Sequence, residues 1–358
     1  MTPKNDGGSG KGKGKGKGNW KRPKTPLPEI IENLDQEMLE RVRLITHTEA
    51  RYLVDSYYAC QDYRKSLDNQ IRAHVQQVDD QPAGMLTWWA QNMERMENQI
   101  KKALEWYAQS TEIGRWSMNI FGIGPVIAAG LIAHIDMDRA VTPGHIYSYA
   151  GIIPGVQWIS SKVAAKLVEK IVPSGAKLTM RHAEELSQHC HWSAEQIWNF
   201  AGTGKNGKKR ARTREKIAAA MARRPWNGSL KTLCWKIHQS FYKKMMDSNG
   251  ELNAKNTYGI LMYQRMQYEN EKNERGDYRD QAAACLGHVR KTTESYAAYK
   301  KGLLPPSHIR SRAGRWAMKI FLSHWWEKAY EIKHGKKPPF QPYPLDHLGH
   351  THKIEPPE

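Results

Sequence analysis

From Leu86 to Gln109, apolar side chains recur at Trp89, Met93, Met96, Ile100, Ala103 and Tyr107. That alternating four–three spacing places them along one seam of a helix, as in a coiled coil. The stretch from Leu34 to Gln77 repeats the pattern at Leu53, Tyr57, Cys60, Leu67 and Ile71, with Arg64 interrupting it. Between the two, Asp79-Asp80-Gln81-Pro82-Ala83-Gly84 carries turn chemistry. The pair predicts an antiparallel helical hairpin, which can pack within one chain or pair with a second copy as a homodimer. Further along, Leu230, Leu233, Cys234, Ile237 and Phe241 fall on one helical face, with Asn227 or Ser229 as the N-cap. More helices are expected from Asn253 to Glu274, and from Arg315 to Ile332 with Trp316, Ile320, Phe321, Trp325 and Trp326. Trp226 and Trp235 are read as core residues. The chain reads as all-α.

The punctuation of the pattern is most specific at Ile120-Phe121-Gly122-Ile123-Gly124-Pro125-Val126. A helix ends, a Gly-x-Gly turn follows, and a second helix opens on Pro125, whose fixed φ suits a first helical turn. Such a helix–hairpin–helix unit aims backbone N–H groups and a helix N-terminus outward, a ready seat for a phosphate. Gly122, Ile123, Gly124 and Pro125 are therefore candidate contacts to a nucleic-acid backbone. The competing reading is a tight helix–helix corner without a ligand.

Charge changes the picture. Lys and Arg number 55 against 36 Asp and Glu, a formal +19. A chain this basic favours polyanions, nucleic acid above all. No apolar stretch approaches the roughly 18 residues of a membrane span, and no signal-peptide core is present, so a cytoplasmic, nucleoid-associated protein is expected. The four cysteines are scattered, which points to no disulfide framework and no zinc site. Residues 1–30 include alternating Lys and Gly from Lys11 to Gly18, the composition of a disordered tail. The remaining chain divides into the helical hairpin (31–109), a DNA-binding unit (110–245) with an insertion near 156–190, and a helical region with a His/Pro-rich end (246–358).

The densest basic run includes Lys205, Lys208, Lys209, Arg210, Arg212 and Arg214, on a Gly-rich loop entering a helix. Such cations suit phosphates and carry little base specificity. Ile146-Tyr147-Ser148-Tyr149-Ala150-Gly151 is echoed by Ile197-Trp198-Asn199-Phe200-Ala201-Gly202, one packing phrase used twice. His347, His350 and His352, with His324 and His334, invite a metal, but no cysteine or acid stands at ligand spacing, so no metal or other cofactor is expected.

Phe121-Gly122-Ile123-Gly124-Pro125, Asp136, Tyr149-Ala150-Gly151, Trp226-Asn227-Gly228-Ser229-Leu230-Lys231-Thr232-Leu233 and Lys319-Ile320-Phe321-Leu322-Ser323-His324-Trp325-Trp326 together resemble the C-terminal domain of the helix-hairpin-helix transposases of bacterial insertion sequences, relatives of the pilin-gene invertases. The resemblance runs from about 110 to 350, and the upstream helical hairpin sits where that family keeps its coiled coil. It implies DNA transposition or recombination as the function. Complete members begin with a RuvC-like domain that presents acidic residues to metal ions. Here a Lys-Gly tail and Pro26-Leu27-Pro28 precede the helices, so that half of the chemistry is expected from a nuclease partner. The resemblance also implies a catalytic serine after the Ala-Gly element, where Ser160 and Ser161 stand beside Lys162. An ordinary helix cap explains the same Ser-Ser pair.

Three functions follow. The leading one is a DNA-binding module that holds backbones through the hairpin and the basic run. The second is a serine-dependent strand-transfer enzyme working with a metal nuclease in trans. The third is an RNA-binding component of a nucleoprotein complex.

Overall fold

The computed structural model describes residues 30–77, 84–153, 158–204, 206–339 and 354–357, with Arg22, Leu27 and Pro28. Among them the chain forms helices joined by turns and two isolated β-bridges, with no strand. The all-α expectation holds.

A short helix α1 (Gln36–Val42) precedes the long pair α2 (His47–Gln77) and α3 (Gly84–Gln109). The helical pattern expected to run unbroken from Leu34 is interrupted at 43–46. Thr46 and Glu49 form a capping box there: the Thr46 N–H donates to Glu49 Oε2 at 2.7 Å and the Glu49 N–H to Thr46 Oγ1 at 3.2 Å. The reciprocal bonds restart the helix regardless of apolar periodicity. α2 and α3 pack against each other, with Leu67, Ile71 and Ala90 closing the end nearest their connection. Arg64, the interruption in the seam, is met across it by Glu97 at 2.7 Å, and Glu97 also accepts from Gln61. A charged pair at a seam position fits only one register, which an all-apolar seam would not specify. Although they belong to the segment 1–30, Arg22 pairs with Asp68 at 2.7 Å and Pro28 accepts from the Trp88 indole. Arg22 and Pro28 thus lie against this hairpin.

The other end of the hairpin packs on the centre of the molecule. There α4 (Glu112–Asn119) turns into α5 (Pro125–His134), which is apolar on every side and buried from Ala128 to His134. A helix hydrophobic all round must be enclosed. The hairpin α2/α3, helix α4 and helix α11 (Gly228–Lys243) pack on it, and the buried face of helix α15 (Pro306–His334) joins the same core. α6 (Pro143–Tyr149) is fastened to α15 by the Tyr147 hydroxyl, which donates to the Lys319 carbonyl at 2.8 Å. Two fully buried indoles of α15 anchor the same core: Trp325 donates to Ser117 Oγ and Trp326 to the Ala140 carbonyl. α15 begins nine residues before the expected Arg315, because Pro305 and Pro306 preset its first turn.

Between α6 and α11 the chain leaves this core. Helices α7 (Ser161–Ile171), α8 (Met180–Ser187), α9 (Ala194–Gly202) and α10 (Arg214–Met221) pack around Val168, Leu186, Ile197, Ile217 and Met221. The insertion expected near 156–190 thus belongs to a four-helix cluster with its own core, extending to Met221. The echoed Ala-Gly phrases do one job in two cores: Ile146 and Ile197 are buried, as are Ala150 and Ala201. The glycine after each alanine lies under a side chain, Trp226 over Gly151 and Arg212 over Gly202.

After α11, helix α12 (Thr257–Glu274) starts four residues later than expected, because the Asn256 side chain caps it by accepting from Gly259. α13 (Arg279–Leu286) and α14 (Glu294–Lys300) form a small cluster against Leu304 and Ile309 before α15 begins.

Candidate nucleic-acid interface

The Gly-x-Gly turn joins α4 to α5 as the sequence predicts. Gly122 has φ +92°, a left-handed conformation that a β-carbon disfavours. Its carbonyl accepts from Ser240 Oγ at 2.6 Å, and a β-carbon there would press on Ser240 and Phe241. Ile123 is buried. The turn is therefore seated on α11 through Gly122 and Ile123. Gly124 differs: it is the N-cap of α5 in extended conformation, φ −94° and ψ 175°, and a β-carbon added to it would meet nothing within 4 Å. Pro125 follows at the first helical position. This leaves an uncovered helix N-terminus, and Lys244 lies 5.3 Å from the ring of Phe121, three residues before Gly124.

The basic run divides in two. Lys208 and Lys209 are exposed on a tight hairpin closed by the Thr203–Lys209 bridge. The arginines are bound to backbone carbonyls. Arg210 donates to the Ala201 and Phe200 carbonyls, and Arg212 donates to the Trp198 carbonyl while its guanidinium lies 4.3 Å from the Trp198 ring. Arg214 binds the Pro173 carbonyl. The carbonyls of Trp198, Phe200 and Ala201 lie in the last turns of α9, where the helix dipole favours cations, whereas Pro173 follows α7. Lys205 lies outside the described residues.

Ser160 is the N-cap of α7, its Oγ accepting the Val163 N–H at 3.4 Å, while Ser161 and Lys162 are exposed in the first turn. Ser160→Ala is expected to cost about 1 kcal/mol, the usual worth of such a cap, and to leave DNA affinity unchanged. Urea unfolding and a binding titration on the same variant check both halves.

The motif phrases meet in space. Asn227 caps α11 by accepting the Leu230 N–H at 2.8 Å. Its own N–H donates to the Tyr149 carbonyl at 2.7 Å and its Nδ2 to the Tyr149 hydroxyl at 2.9 Å. Trp226 rests on Gly151, with Trp158 6.0 Å away on one side and Lys231 Nζ 3.9 Å from its ring on the other. Beyond this junction a cavity of about 740 Å³ opens among α11, α12 and α15. Lys231, Arg315, Lys319 and Trp235 face it; the sequence pointed to none of the three cations as a site residue and placed Trp235 in the core. The legible signal was the spacing Arg312, Arg315, Lys319 along one helix face, masked by the aromatic pattern of the same helix. Trp235, expected in the core, is 56% exposed. It follows Cys234, so it projects away from the face that carries Leu230, Leu233 and Ile237.

Of the histidines that invited a metal, His324 is otherwise occupied. His324 shares hydrogen bonds with the Tyr258 hydroxyl and the Ile354 carbonyl, and His347, His350 and His352 lie outside the described residues. Among the described residues no group of acidic, histidine and cysteine side chains converges to hold a metal ion, and no helix is long and apolar enough to cross a membrane.

No curated protein and no solved structure matches this chain. Residues 116–172, which carry the α4–α5 turn, Gly151, Ser160 and α7, are similar to the Transposase IS116/IS110/IS902 family.

Proposed function

We propose that this chain is a DNA-binding protein of a transposition or recombination system that grips the DNA backbone through the α4–α5 turn, assisted by Lys208 and Lys209. The observation that carries the reading is the open face at Gly124. A helix N-terminus left uncovered, with Lys244 against Phe121 at the start of the same turn, in a protein of charge +19, has the electrostatics of a phosphate seat. The transposase similarity covers this same turn, which supports DNA as the polyanion. Gly122 and Ile123 then act by holding the turn on α11, and Gly124 with Pro125 forms the contacting edge.

Contacts of this kind are electrostatic and independent of sequence, so affinity should fall steeply with salt. Replacing Lys208 and Lys209 together by glutamine is expected to flatten the plot of log affinity against log salt by about two units in slope if each lysine meets one phosphate. A titration of duplex binding over a range of salt concentrations reads that slope directly. An unchanged slope would remove the two lysines from the interface.

A further inference from the structure

We propose that the cavity among α11, α12 and α15 seats a phosphate of an unpaired DNA strand, with the exposed indole of Trp235 stacking on a neighbouring base. The inference rests on the DNA-binding reading and deepens it by assigning a strand form.

The cavity is lined by five cations and one carboxylate. That carboxylate, Glu269, is already committed: Arg265 and Arg312 each reach it at 2.7 Å, and the Tyr278 hydroxyl donates to it at 2.5 Å. Lys231, Arg315 and Lys319 form no ion pair among the described residues. Lys231 and Lys319 instead lie over the Trp226 and Tyr147 rings, 3.9 and 5.6 Å away. Like charges gathered in a recess repel one another, and the arrangement is relieved by an anion between them. Partial burial and the neighbouring Arg315 both disfavour the charged form of Lys319, as such crowding requires.

Size and rim chemistry select the anion. A space of about 740 Å³ is far larger than a bare ion needs and falls within the range of nucleotide-sized sites. Trp235 lines it yet stays largely in solvent, its ring 6.5 Å from that of His238. Cations that track a backbone, interleaved with an aromatic face, are the means by which proteins hold single strands. A base within a duplex has both faces stacked and cannot use the indole, so the occupant is unpaired. The cavity and the Gly122 contact lie on the same helix, with Lys231 at the cavity about 13.5 Å along the axis from Ser240.

The test uses the full chain and two probes, an oligothymidylate of about 12 nucleotides and a blunt duplex of the same length, with circular dichroism as a folding control. Trp235→Ala removes an exposed side chain and should fold normally. It is expected to weaken oligothymidylate binding about tenfold, the usual loss of one stacked base, while duplex affinity stays within about twofold. Arg315→Gln combined with Lys319→Gln is expected to weaken the single strand by at least as much. Wild-type affinity for oligothymidylate in the Trp235 variant, or equal losses for single strand and duplex, would overturn the assignment. So would tighter binding of oligouridylate than of oligothymidylate, which would make RNA the occupant. If wild type fails to bind duplex but holds oligothymidylate in a Trp235-dependent way, the backbone grip fails and the cavity assignment stands.

Discussion

Gly151→Ala is expected to destabilise the protein by about 3 kcal/mol. Two independent costs meet at this residue. Its φ of +63° lies in the left-handed region, where a β-carbon costs roughly 1–2 kcal/mol. The new methyl would also lie 2.5 to 2.9 Å from three atoms of Trp226, including its Cβ, so the indole cannot simply rotate away. Displacing Trp226 disturbs the base of α11, where Asn227 holds both the Tyr149 carbonyl and its hydroxyl. The midpoint of urea denaturation should fall accordingly. A midpoint within error of wild type would mean that the Tyr149–Asn227 junction yields at little cost and does not fix α11 to α6.

The second large effect is a loss of stability between neutral pH and pH 4. Burial, with a smaller contribution from Arg51, pushes His134 down to about 4. Burial, with the charges of Arg310 and Arg315, does the same to His238. In the unfolded chain both imidazoles titrate near 6.5. Between those values the unfolded state binds the protons and the folded state does not, so stability is full above 6.5 and is lost as pH falls towards 4. The loss amounts to about 2 kcal/mol per histidine by pH 5. Below the ordinary carboxylate range a second loss begins. Burial pushes Glu97 up, but the hydrogen bonds from Arg64 and Gln61 and the Arg64 charge outweigh it. Glu269 is likewise held low against burial by Tyr278, Arg312 and Arg265. Stability from these depressed carboxyls is lost as pH falls through their folded values. Urea midpoints at pH 7, 6 and 5 check the histidine part, and His134→Leu should remove about half of that dependence. His134 Nδ1 has no hydrogen-bond partner, so the leucine breaks no bond there. Midpoints that do not change between pH 7 and pH 5 would contradict this account.

Local signals in the sequence carry the elements that are bounded by local chemistry. The helix over 86–109 is legible in its apolar spacing, the α4–α5 turn in its glycines and proline, and α11 in its Asn227 cap. Where periodicity and capping compete, capping wins: the apolar pattern crosses residues 43–46, yet Thr46 and Glu49 end one helix and begin another. Convergence over long range is not legible. Arg210, Arg212 and Arg214 read as a solvated cationic face, but carbonyls at the end of α9 capture the first two and that of Pro173 the third, and nothing within the run announces those acceptors. The cavity is hidden for the same reason, since its walls come from three helices separated by loops. Glu97 answers Arg64 across α2 and α3 because the register aligns them, which the interrupted seam signalled only from one side.

The most direct test of the backbone grip is a salt titration of duplex binding by the full chain, comparing wild type with Gly124→Val. The extended backbone at Gly124 accommodates valine and the space around it is open, so the variant should fold, losing about 1 kcal/mol at most from the poorer N-cap. Gly122→Val would be a poor probe, because its positive φ and its contacts with Ser240 and Phe241 would confuse unfolding with lost binding. Both proteins should lose affinity as salt rises, and Gly124→Val should bind about tenfold more weakly at each salt concentration, because the isopropyl group blocks a phosphate from the start of α5. A folded Gly124→Val protein with wild-type affinity would contradict the backbone grip, and the turn would then be a structural corner.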